Sequence, residues 1–266
     1  MRIDPSKLLK QVKNMAVSSL SILLFFLLWQ LASSTGLLND SIIPQAIDVI
    51  KEIGRRLIDG VYLTHTLLTL KRAAIGFLYA LIIGITAGFL LGGKFKTLAK
   101  LLMPLFKLLE KLNPFALFPV FMMLFGIGET CKEVLVFWVC VWPVLFYTIL
   151  GVEGVDRLMI RSAKTMGAKG GRLFLKVILP ATTPDIFTGI KLSAQWAFFM
   201  IISGEIMGSS AGLGWFIWTS QIKYQIISLY GATIYVAILG VIINKLFRKL
   251  ESRFLPWKQK AFEIAD

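Results

Sequence analysis

The sequence predicts an all-α integral membrane protein with about six transmembrane helices. Of its 266 residues, 56% are hydrophobic, the mean hydropathy is +0.74, and several apolar runs are long enough to cross a bilayer as helices. The net charge of +14 could also indicate a nucleic-acid-binding protein. The basic residues are, however, distributed loop by loop between the apolar runs rather than gathered on one soluble face, which argues against nucleic acid as a partner. We expect a single transmembrane domain over residues 1–266.

Six nearly uncharged apolar runs are the predicted spans. They lie at 15–32, 73–93, 114–128, 134–150, 186–208 and 225–244. The third run is short, so its helix is expected to begin near Leu101 and to bend at Pro104 or Pro114. An even number of crossings places both termini on the same side of the membrane.

The first run, 15–32, follows Lys7, Lys10 and Lys13 and could be read as a cleavable signal peptide. Its length of about 18 residues exceeds that of a typical signal-peptide core, so we expect it to remain as an anchor. The connection that follows contains an amphipathic segment at 44–59. Its charges nearly cancel, which favours a helix lying flat at the membrane surface over a contact with another protein.

The second run contains Arg72 near its outer end, if the helix begins near His65. Arg72 could draw anionic solutes into a pathway, or it could extend to lipid headgroups. His65 is the only histidine and the two cysteines are Cys131 and Cys140. No metal site or disulfide framework can be built from these residues, and a hydrogen bond at the interface is the expected role of His65.

Proline and a buried carboxylate mark two further runs. Pro114 and Pro119 interrupt the third run, where freed carbonyls either line a cavity or only bend the helix. Glu205 lies in the fifth run, where a carboxylate costs several kcal/mol unless it is protonated, paired or facing water. It is therefore either a residue of the translocation path or a partner in a hydrogen bond that packs two helices. Gln195 and Lys191, one turn apart near the inner end of the same run, allow the same two interpretations as Arg72: lining the path or extending to lipid headgroups.

The distribution of Lys and Arg predicts the orientation. Four lie in the first 14 residues, five at 94–112, six at 151–183 and six from Lys245 onward, and these are alternate loops. The stretch 33–72 holds five and is the exception, although four acidic residues offset most of it. The excess of basic residues predicts that both termini and the loop at 151–183 face the cytoplasm.

The segment from Glu153 to Pro184 is a basic, glycine-interrupted stretch between two apolar runs. Met159, Ala163 and Met166 recur at helical spacing on one face, with Arg161 on another, which predicts a short amphipathic helix. Gly167 can end this helix. A second short helix is expected through Leu173 and Val177, and Pro180 and Pro184 are expected to stop it before the next span.

This segment resembles the cytoplasmic loop of the transmembrane subunits of ATP-binding-cassette (ABC) importers, written E-A-A-x3-G-x9-I-x-L-P. Ala163, Gly167, Leu179 and Pro180 match with the spacing intact, and Val177 replaces the Ile. Arg161 and Ser162 stand where the pattern has Glu and Ala, so a contact made by that Glu cannot be transferred to this chain. The residues that the resemblance assigns to ATPase coupling are Arg161, Ser162, Ala163, Met166, Gly167, Leu179 and Pro180.

The resemblance extends from about residue 65 to 257. HTLLTLKRAAIGF at 65–77 and NPFALFPVFMMLFGIG at 113–128 are similar to stretches of the permeases for nitrate, sulfonate, taurine and related small solutes. Glu205 followed by Gly212-Leu213-Gly214, and then Pro256-Trp257, occur in the expected order. Only the first span lies outside the match.

The resemblance implies a type I ABC importer permease fold with a cytoplasmic coupling helix, in the bacterial cytoplasmic (inner) membrane. It also implies two permease subunits, expected to be a homodimer, two cytoplasmic ABC ATPase subunits and an extracytoplasmic solute-binding protein. No Walker-type G-x4-G-K-[ST] occurs in the chain, so ATP and Mg are expected on the partner ATPase, with no cofactor on this chain and no enzymatic role for it.

The predicted function is to form the translocation path for a small solute and to couple it to the ATPase. An organic or inorganic anion such as a sulfonate or nitrate fits Arg72, while the aromatic residues of the chain would suit a neutral heterocycle equally. The predicted path residues are Arg72, Pro114, Pro119, Gln195 and Glu205. The alternatives are an ion-coupled secondary transporter that uses Glu205 as its titrating group, a membrane scaffold, and, most weakly, a membrane-embedded enzyme.

Overall fold

The computed structural model of the chain describes residues 20, 21, 23–35 and 42–255, and among these residues it contains no strand. The helices are α1 (Leu23–Ser34), α2 (Ala46–Ile58), α3 (Val61–Phe89), α4 (Lys96–Glu110), α5 (Pro114–Phe125), α6 (Glu129–Glu153), α7 (Arg157–Thr165), α8 (Gly170–Leu173), α9 (Leu179–Gly208), α10 (Leu213–Ile222) and α11 (Ile226–Phe254). Two π-helical turns, Leu90–Lys94 and Phe174–Ile178, extend α3 and join α8 to α9. The all-α prediction is confirmed.

Four helical stretches of the described residues are long and apolar enough to cross a membrane. They are Val61–Lys94, Glu129–Glu153, Gly170–Gly208 and Ile226–Phe254, and α4 with α5 would make a fifth. The predicted spans at 73–93, 134–150 and 186–208 lie inside the first three stretches, and the span at 225–244 lies inside the fourth except for its first residue. The predicted first span, 15–32, lies partly outside the described residues, and its described remainder belongs to α1.

The third predicted span is a bent pair of helices rather than one rod. The axes of α4 and α5 differ by 96°. The break falls directly before Pro114, whereas α4 begins at Lys96 and continues through Pro104. Asn113 caps the new helix, since its side chain accepts a hydrogen bond from the Phe115 N–H at 2.9 Å. The bend is therefore confirmed at the second of the two expected prolines.

The chain divides into two compact units. The first consists of Met1–Tyr62 and Phe216–Tyr235, and the second of Leu63–Trp215 and Val236–Asp266. In the first unit, Tyr62 stacks on Tyr235 with ring centroids 4.6 Å apart and meets Phe216 edge-on.

The amphipathic segment predicted at 44–59 is α2, in the first unit. Its inner side carries the nearly buried Glu52, which pairs with Arg55 and Arg56 at 2.8 Å each. Its apolar Ile58 is exposed. Glu52 also accepts a hydrogen bond from the Ser228 hydroxyl at 2.7 Å.

In the second unit, α6 is in close backbone contact with both α3 and α9. A Cβ atom at Gly76 or Gly88 of α3 would lie 2.4 Å from the Glu133 carbonyl or 2.5 Å from Thr148 Cβ, both on α6. A Cβ at Gly189 of α9 would lie 2.9 Å from Tyr147 of α6. Small residues let membrane helices approach in this way, so α6 is the central helix of the unit.

Candidate functional site

A buried cluster of charges in the second unit is centred on Arg72 of α3. One edge of its guanidinium donates two hydrogen bonds to Glu129 of α6. Nε donates to one carboxylate oxygen, and Nη2 donates to the other at 2.9 Å. Its Nη1 donates to Glu205 of α9 at 2.6 Å and to the Ala211 carbonyl at 2.7 Å. The side chain of Arg72 is only 8% exposed, so it does not extend to lipid headgroups as an isolated arginine would.

Glu205 is fully buried, and its carboxylate accepts several hydrogen bonds. Besides Arg72, the Thr69 hydroxyl donates to it, 3.0 and 2.9 Å from the two oxygens. The backbone N–H of Gly214 donates to it at 3.0 Å. Of the three conditions under which a carboxylate is tolerated in a membrane protein, the structure therefore shows pairing.

Glu129 and Lys132 complete the cluster from the first turn of α6. The Lys132 ammonium donates to Glu129 at 3.0 Å and is itself buried, with 3% of its side chain exposed. Glu129 is the open member of the cluster, since 56% of its side chain is exposed. The two cations and two carboxylates cancel, so the buried charges carry no net charge.

The turn between α9 and α10 fits closely around Glu205. Gly212 adopts φ +122°, and a Cβ at this position would lie 2.3 Å from the Glu205 carboxylate. The N–H of Gly212 donates to His65 Nδ1 at 3.0 Å, and the N–H of Leu213 donates to Thr69 at 3.0 Å. His65 thus accepts a hydrogen bond, as expected, and its place at the membrane interface remains a prediction.

The five predicted path residues do not all come together. Arg72 and Glu205 are in direct contact, although 133 residues separate them in the sequence. Gln195 instead donates from its side-chain amide to Asn244 of α11 at 3.0 Å. Pro114 begins α5 and Pro119 lies inside it. That these residues line a pathway remains a prediction.

Two members of the cluster, Glu129 and Lys132, were missed by the sequence reasoning. They lie just before the apolar run predicted at 134–150, outside every predicted span. Charge balance could have indicated them, because ionised side chains in apolar runs need partners of opposite charge. Glu129 and Lys132 are an acid and a base three residues apart at the start of a span. Among the described residues, no group of three or more His, Cys, Asp or Glu side chains could hold a metal ion.

The second feature of interest is α7, a short amphipathic helix in which no residue is buried. Its first turn is capped by Asp156, whose side chain accepts a hydrogen bond from the Leu158 N–H at 2.8 Å. Met159 is 50% and Met166 87% exposed. The helix predicted from the spacing of Met159, Ala163 and Met166 is confirmed.

The turn after α7 depends on Gly167, which has φ +85°. The residues predicted to couple to an ATPase lie in two places, around this turn and at the start of α9. Arg161, Ser162 and Ala163 are on α7, Met166 and Gly167 follow it, and Leu179 and Pro180 begin α9. Phe174, between them, packs edge-on against Phe89 of α3 with ring centroids 5.0 Å apart.

The expectation that Pro180 and Pro184 would separate a second short helix from the next span is wrong. The chain is helical from Gly170 to Gly208, with Pro180 in the first turn of α9 and Pro184 inside it. The wide π-helical turn at Phe174–Ile178 directly precedes α9 and gives the ring of Pro180 room. The helix that follows α7 is thus continuous with the span.

The charge cluster and α7 lie at opposite ends of α6. Glu129 is the first residue of α6 and Glu153 the last, and 25 helical residues extend about 37 Å. That length exceeds the hydrocarbon thickness of a bilayer, about 30 Å. If α7 faces one aqueous phase, the cluster lies near the other.

Comparison with known proteins identifies relatives over most of the chain. A putative ABC transporter permease protein of Methanocaldococcus jannaschii is 31% identical over 201 residues, 75% of each chain. The putative aliphatic sulfonates transport permease protein SsuC of Bacillus subtilis is 29% identical and covers 87% of this chain and 83% of the relative. The nitrate import permease protein NrtB of Leptolyngbya laminosa is 27% identical over 94% of this chain and 91% of its own.

A solved structure shows the same fold. The MetNI methionine ABC transporter, in an inward-facing conformation, contains a chain that superposes with a TM-score of 0.61 at 15% identity, covering 74% of this chain and 97% of its own. The profile of one protein family matches residues 84–256, which lie within the stretch where the sequence resembled permeases. The chain therefore belongs to the family described as binding-protein-dependent transport system inner membrane component, the permease subunits of ABC importers.

Proposed function

We propose that this permease forms, with a second copy of itself, the pathway of an importer for small anions, and that α7 docks into a cytoplasmic ATPase that binds ATP and Mg. In this arrangement both termini and α7 face the cytoplasm, and the charge cluster lies near the outer face, where a binding protein delivers the solute. The proposal thus concerns the substrate class, the dimer and the orientation.

The family itself establishes the broader role. Its members are multi-pass inner membrane permeases and not enzymes, and ATP hydrolysis belongs to a partner ATPase. Membership also implies a solute-binding protein. The alternative of an ion-coupled carrier that titrates Glu205 is not favoured, because that carboxylate is fully buried and paired with Arg72.

The exposure of α7 is the observation that carries the coupling proposal. Three apolar side chains are half to mostly exposed: Leu158 and Met159 on α7 and Met166 directly after it. The same helix carries Arg157 and Arg161. A protein surface that presents apolar side chains among basic ones in this way is typical of a docking site.

The attachment of α7 supports a role in transmitting movement. It follows the end of α6 directly and leads through Gly167 into the continuous helix that becomes α9. Closure of the paired ATPases on ATP would displace α7 and with it α6 and α9, the helices that precede and follow it in the second unit. Access to the pathway would then switch from one side of the membrane to the other.

Two observations support an anionic solute. Two of the relatives described above are named as permeases for anions, namely aliphatic sulfonates and nitrate. The chain also buries two basic side chains, Arg72 and Lys132, at the end of α6 that is remote from α7. A guanidinium and an ammonium are side-chain groups that hydrogen-bond strongly to anionic oxygen atoms.

Replacing Gly167 with valine tests the coupling proposal. Open space surrounds the position, so a side chain would clash with nothing, but its φ of +85° is strained for a β-branched residue. We expect Gly167→Val to turn α7 relative to α9. ATP-dependent uptake into proteoliposomes should fall by about tenfold or more while ATP hydrolysis continues.

Gly93→Val is the matched control, because Gly93 has equally open surroundings and no positive φ. It should retain coupled uptake. Wild-type coupling in the Gly167 variant, with both proteins folded and assembled with the ATPase, would contradict the docking of α7.

A further inference from the structure

The carboxylate of Glu129 is held as an anionic ligand would be held. Both of its oxygens face one edge of the Arg72 guanidinium, and the Lys132 ammonium lies 3.0 Å from one of them. This guanidinium edge fits any planar or tetrahedral group that presents two oxygens side by side, including nitrate, bicarbonate and sulfonate.

The cations are fixed and the carboxylate is on the open side. The side chains of Arg72 and Lys132 are 8% and 3% exposed, against 56% for Glu129. The second edge of Arg72 is held by Glu205 and the Ala211 carbonyl. Departure of Glu129 would therefore leave the guanidinium in position, with one edge unoccupied.

The charges also define the ligand that could replace Glu129. With Glu129 withdrawn, Arg72 and Lys132 face the single negative charge of Glu205, which leaves a net charge of +1. A singly charged oxoanion restores neutrality in a buried environment, whereas a divalent anion leaves an excess negative charge.

The start of α6 is built so that Glu129 can withdraw. Glu129 is the first residue of the helix and follows a turn at Gly126–Gly128, where Ile127 is 79% exposed and added Cβ atoms at the two glycines would meet nothing within 4 Å. A change in this turn can carry the carboxylate away from Arg72 without unpacking the helix.

We propose that Arg72 and Lys132 form a binding site for a singly charged oxoanion, and that Glu129 is its tethered occupant, which the transported anion displaces. This assignment rests on the anion transport proposed above. It explains how two buried cations remain compensated between transport cycles: Glu129 fills the site when solute is absent and yields it when solute arrives.

The test is anion-dependent thermal unfolding of the assembled permease–ATPase complex in phosphatidylcholine nanodiscs. Sodium nitrate replaces sodium chloride at constant ionic strength. Wild type should show a saturable rise in unfolding temperature. Glu129→Ala should unfold at a lower temperature in chloride, because it leaves cations unpaired, and nitrate should restore it with an affinity about tenfold tighter than wild type, since no internal competitor remains.

Three controls define the site. Glu133→Ala removes the same charge from the same helix, from a side chain that forms no ion pair with a described residue, and should respond to nitrate as wild type does. Lys132→Met in the Glu129→Ala background should abolish the tighter nitrate response. Relative to its general effect on Glu133→Ala, sulfate should stabilise Glu129→Ala more weakly than nitrate does at equal concentration.

A lipid phosphate offers the same oxoanion chemistry, so a second set of nanodiscs contains phosphatidylglycerol. If only these discs show stabilisation, and added nitrate has no effect in either set, the occupant is a headgroup and the assignment to a solute is overturned. The absence of any nitrate effect on wild type at concentrations far above those that saturate Glu129→Ala would also overturn it, as would an equal gain in Glu133→Ala.

Failure of this site is distinguishable from failure of the proposed function. ATP-dependent uptake of an oxoanion by a complex that lacks the nitrate response would remove the Arg72–Lys132 site and leave anion import intact. Uptake of a neutral solute alone would remove anion import itself.

Discussion

Arg72 shows how a single side chain is accommodated in the interior of a membrane protein. Its guanidinium is shared between a buried carboxylate, an exposed carboxylate and a backbone carbonyl. Removing one partner from such an arrangement is costly, because the remaining charge is left buried and unpaired, on the order of 3–5 kcal/mol. The residues around Arg72 are therefore constrained by its charge as much as by their own packing.

Gly212 gives the sharpest residue-level prediction. Gly212→Ala would place a Cβ 2.3 Å from the Glu205 carboxylate and should force the turn away from it, weakening the hydrogen bond from Gly214. We expect a destabilisation of about 2–4 kcal/mol. Chemical unfolding of the purified protein in detergent measures it.

Gly60→Ala separates backbone strain from the clash. Gly60 also has a positive φ, +72°, but nothing lies within 4 Å of the added Cβ, so only the left-handed strain of about 1 kcal/mol is expected. Equal losses in the two variants would show that contact with Glu205 is unimportant.

At the same scale, the sequence predicted a carboxylate within a span at Glu205, left open whether Arg72 serves a pathway or extends to headgroups, and did not predict how they pair. Arg72 and Glu205 stand out because ionisable residues in apolar runs are rare. Their partners could not be identified, since Glu129 lies 57 residues from Arg72 along the chain and looked like part of a loop. Only the folded arrangement of three helices brings these groups together.

Among the elements, α2 predicts a dependence of stability on pH. Burial raises the pKa of Glu52, but hydrogen bonds from two arginines and Ser228 outweigh it, and the pKa lies below its ordinary value of 4.5. A depressed carboxyl pKa contributes stability that is complete above 4.5 and is lost as the pH falls through the lower folded value. Acid should therefore weaken the attachment of α2.

Glu52→Gln tests this dependence. At pH 7 the variant should be less stable than wild type by about 1–2 kcal/mol, and the gap should shrink as the pH falls below 4.5 toward the folded pKa. Asp48→Asn removes the exposed ion pair between Asp48 and Lys51, whose charged atoms are 3.8 Å apart. This variant should change the free energy of unfolding little at any pH. A gap for Glu52→Gln that stays constant down to acid pH would contradict the assigned contribution.

The spans could be predicted because length and apolarity decide them. Their boundaries could not be predicted at positions where a proline either breaks the helix or is accommodated in it. The break occurs at Pro114 and not at Pro104, because Asn113 caps the helix that follows. Pro180 and Pro184 do not break the chain, since a π-helical turn accommodates the first and membrane helices tolerate the second. Proline marks a disturbance, and neighbouring residues decide whether it is a break.

For the whole molecule, the orientation can be tested by cysteine labelling. Met166 after α7 and Ile127 before α6 are 87% and 79% exposed, at opposite ends of α6. In inside-out vesicles a membrane-impermeant maleimide should label Met166→Cys and not Ile127→Cys, and in spheroplasts the reverse. The native Cys131 and Cys140 are buried, so unsubstituted protein provides the background; labelling of both positions from one side would contradict the proposed orientation.

The close glycine contacts along α6 have a further consequence. Because α3 and α9 both lie against its backbone, α6 has little freedom to flex between its ends. We expect it to move as one rigid helix, so that a tilt imposed by whatever binds α7 also displaces Glu129, the first residue at the opposite end of α6.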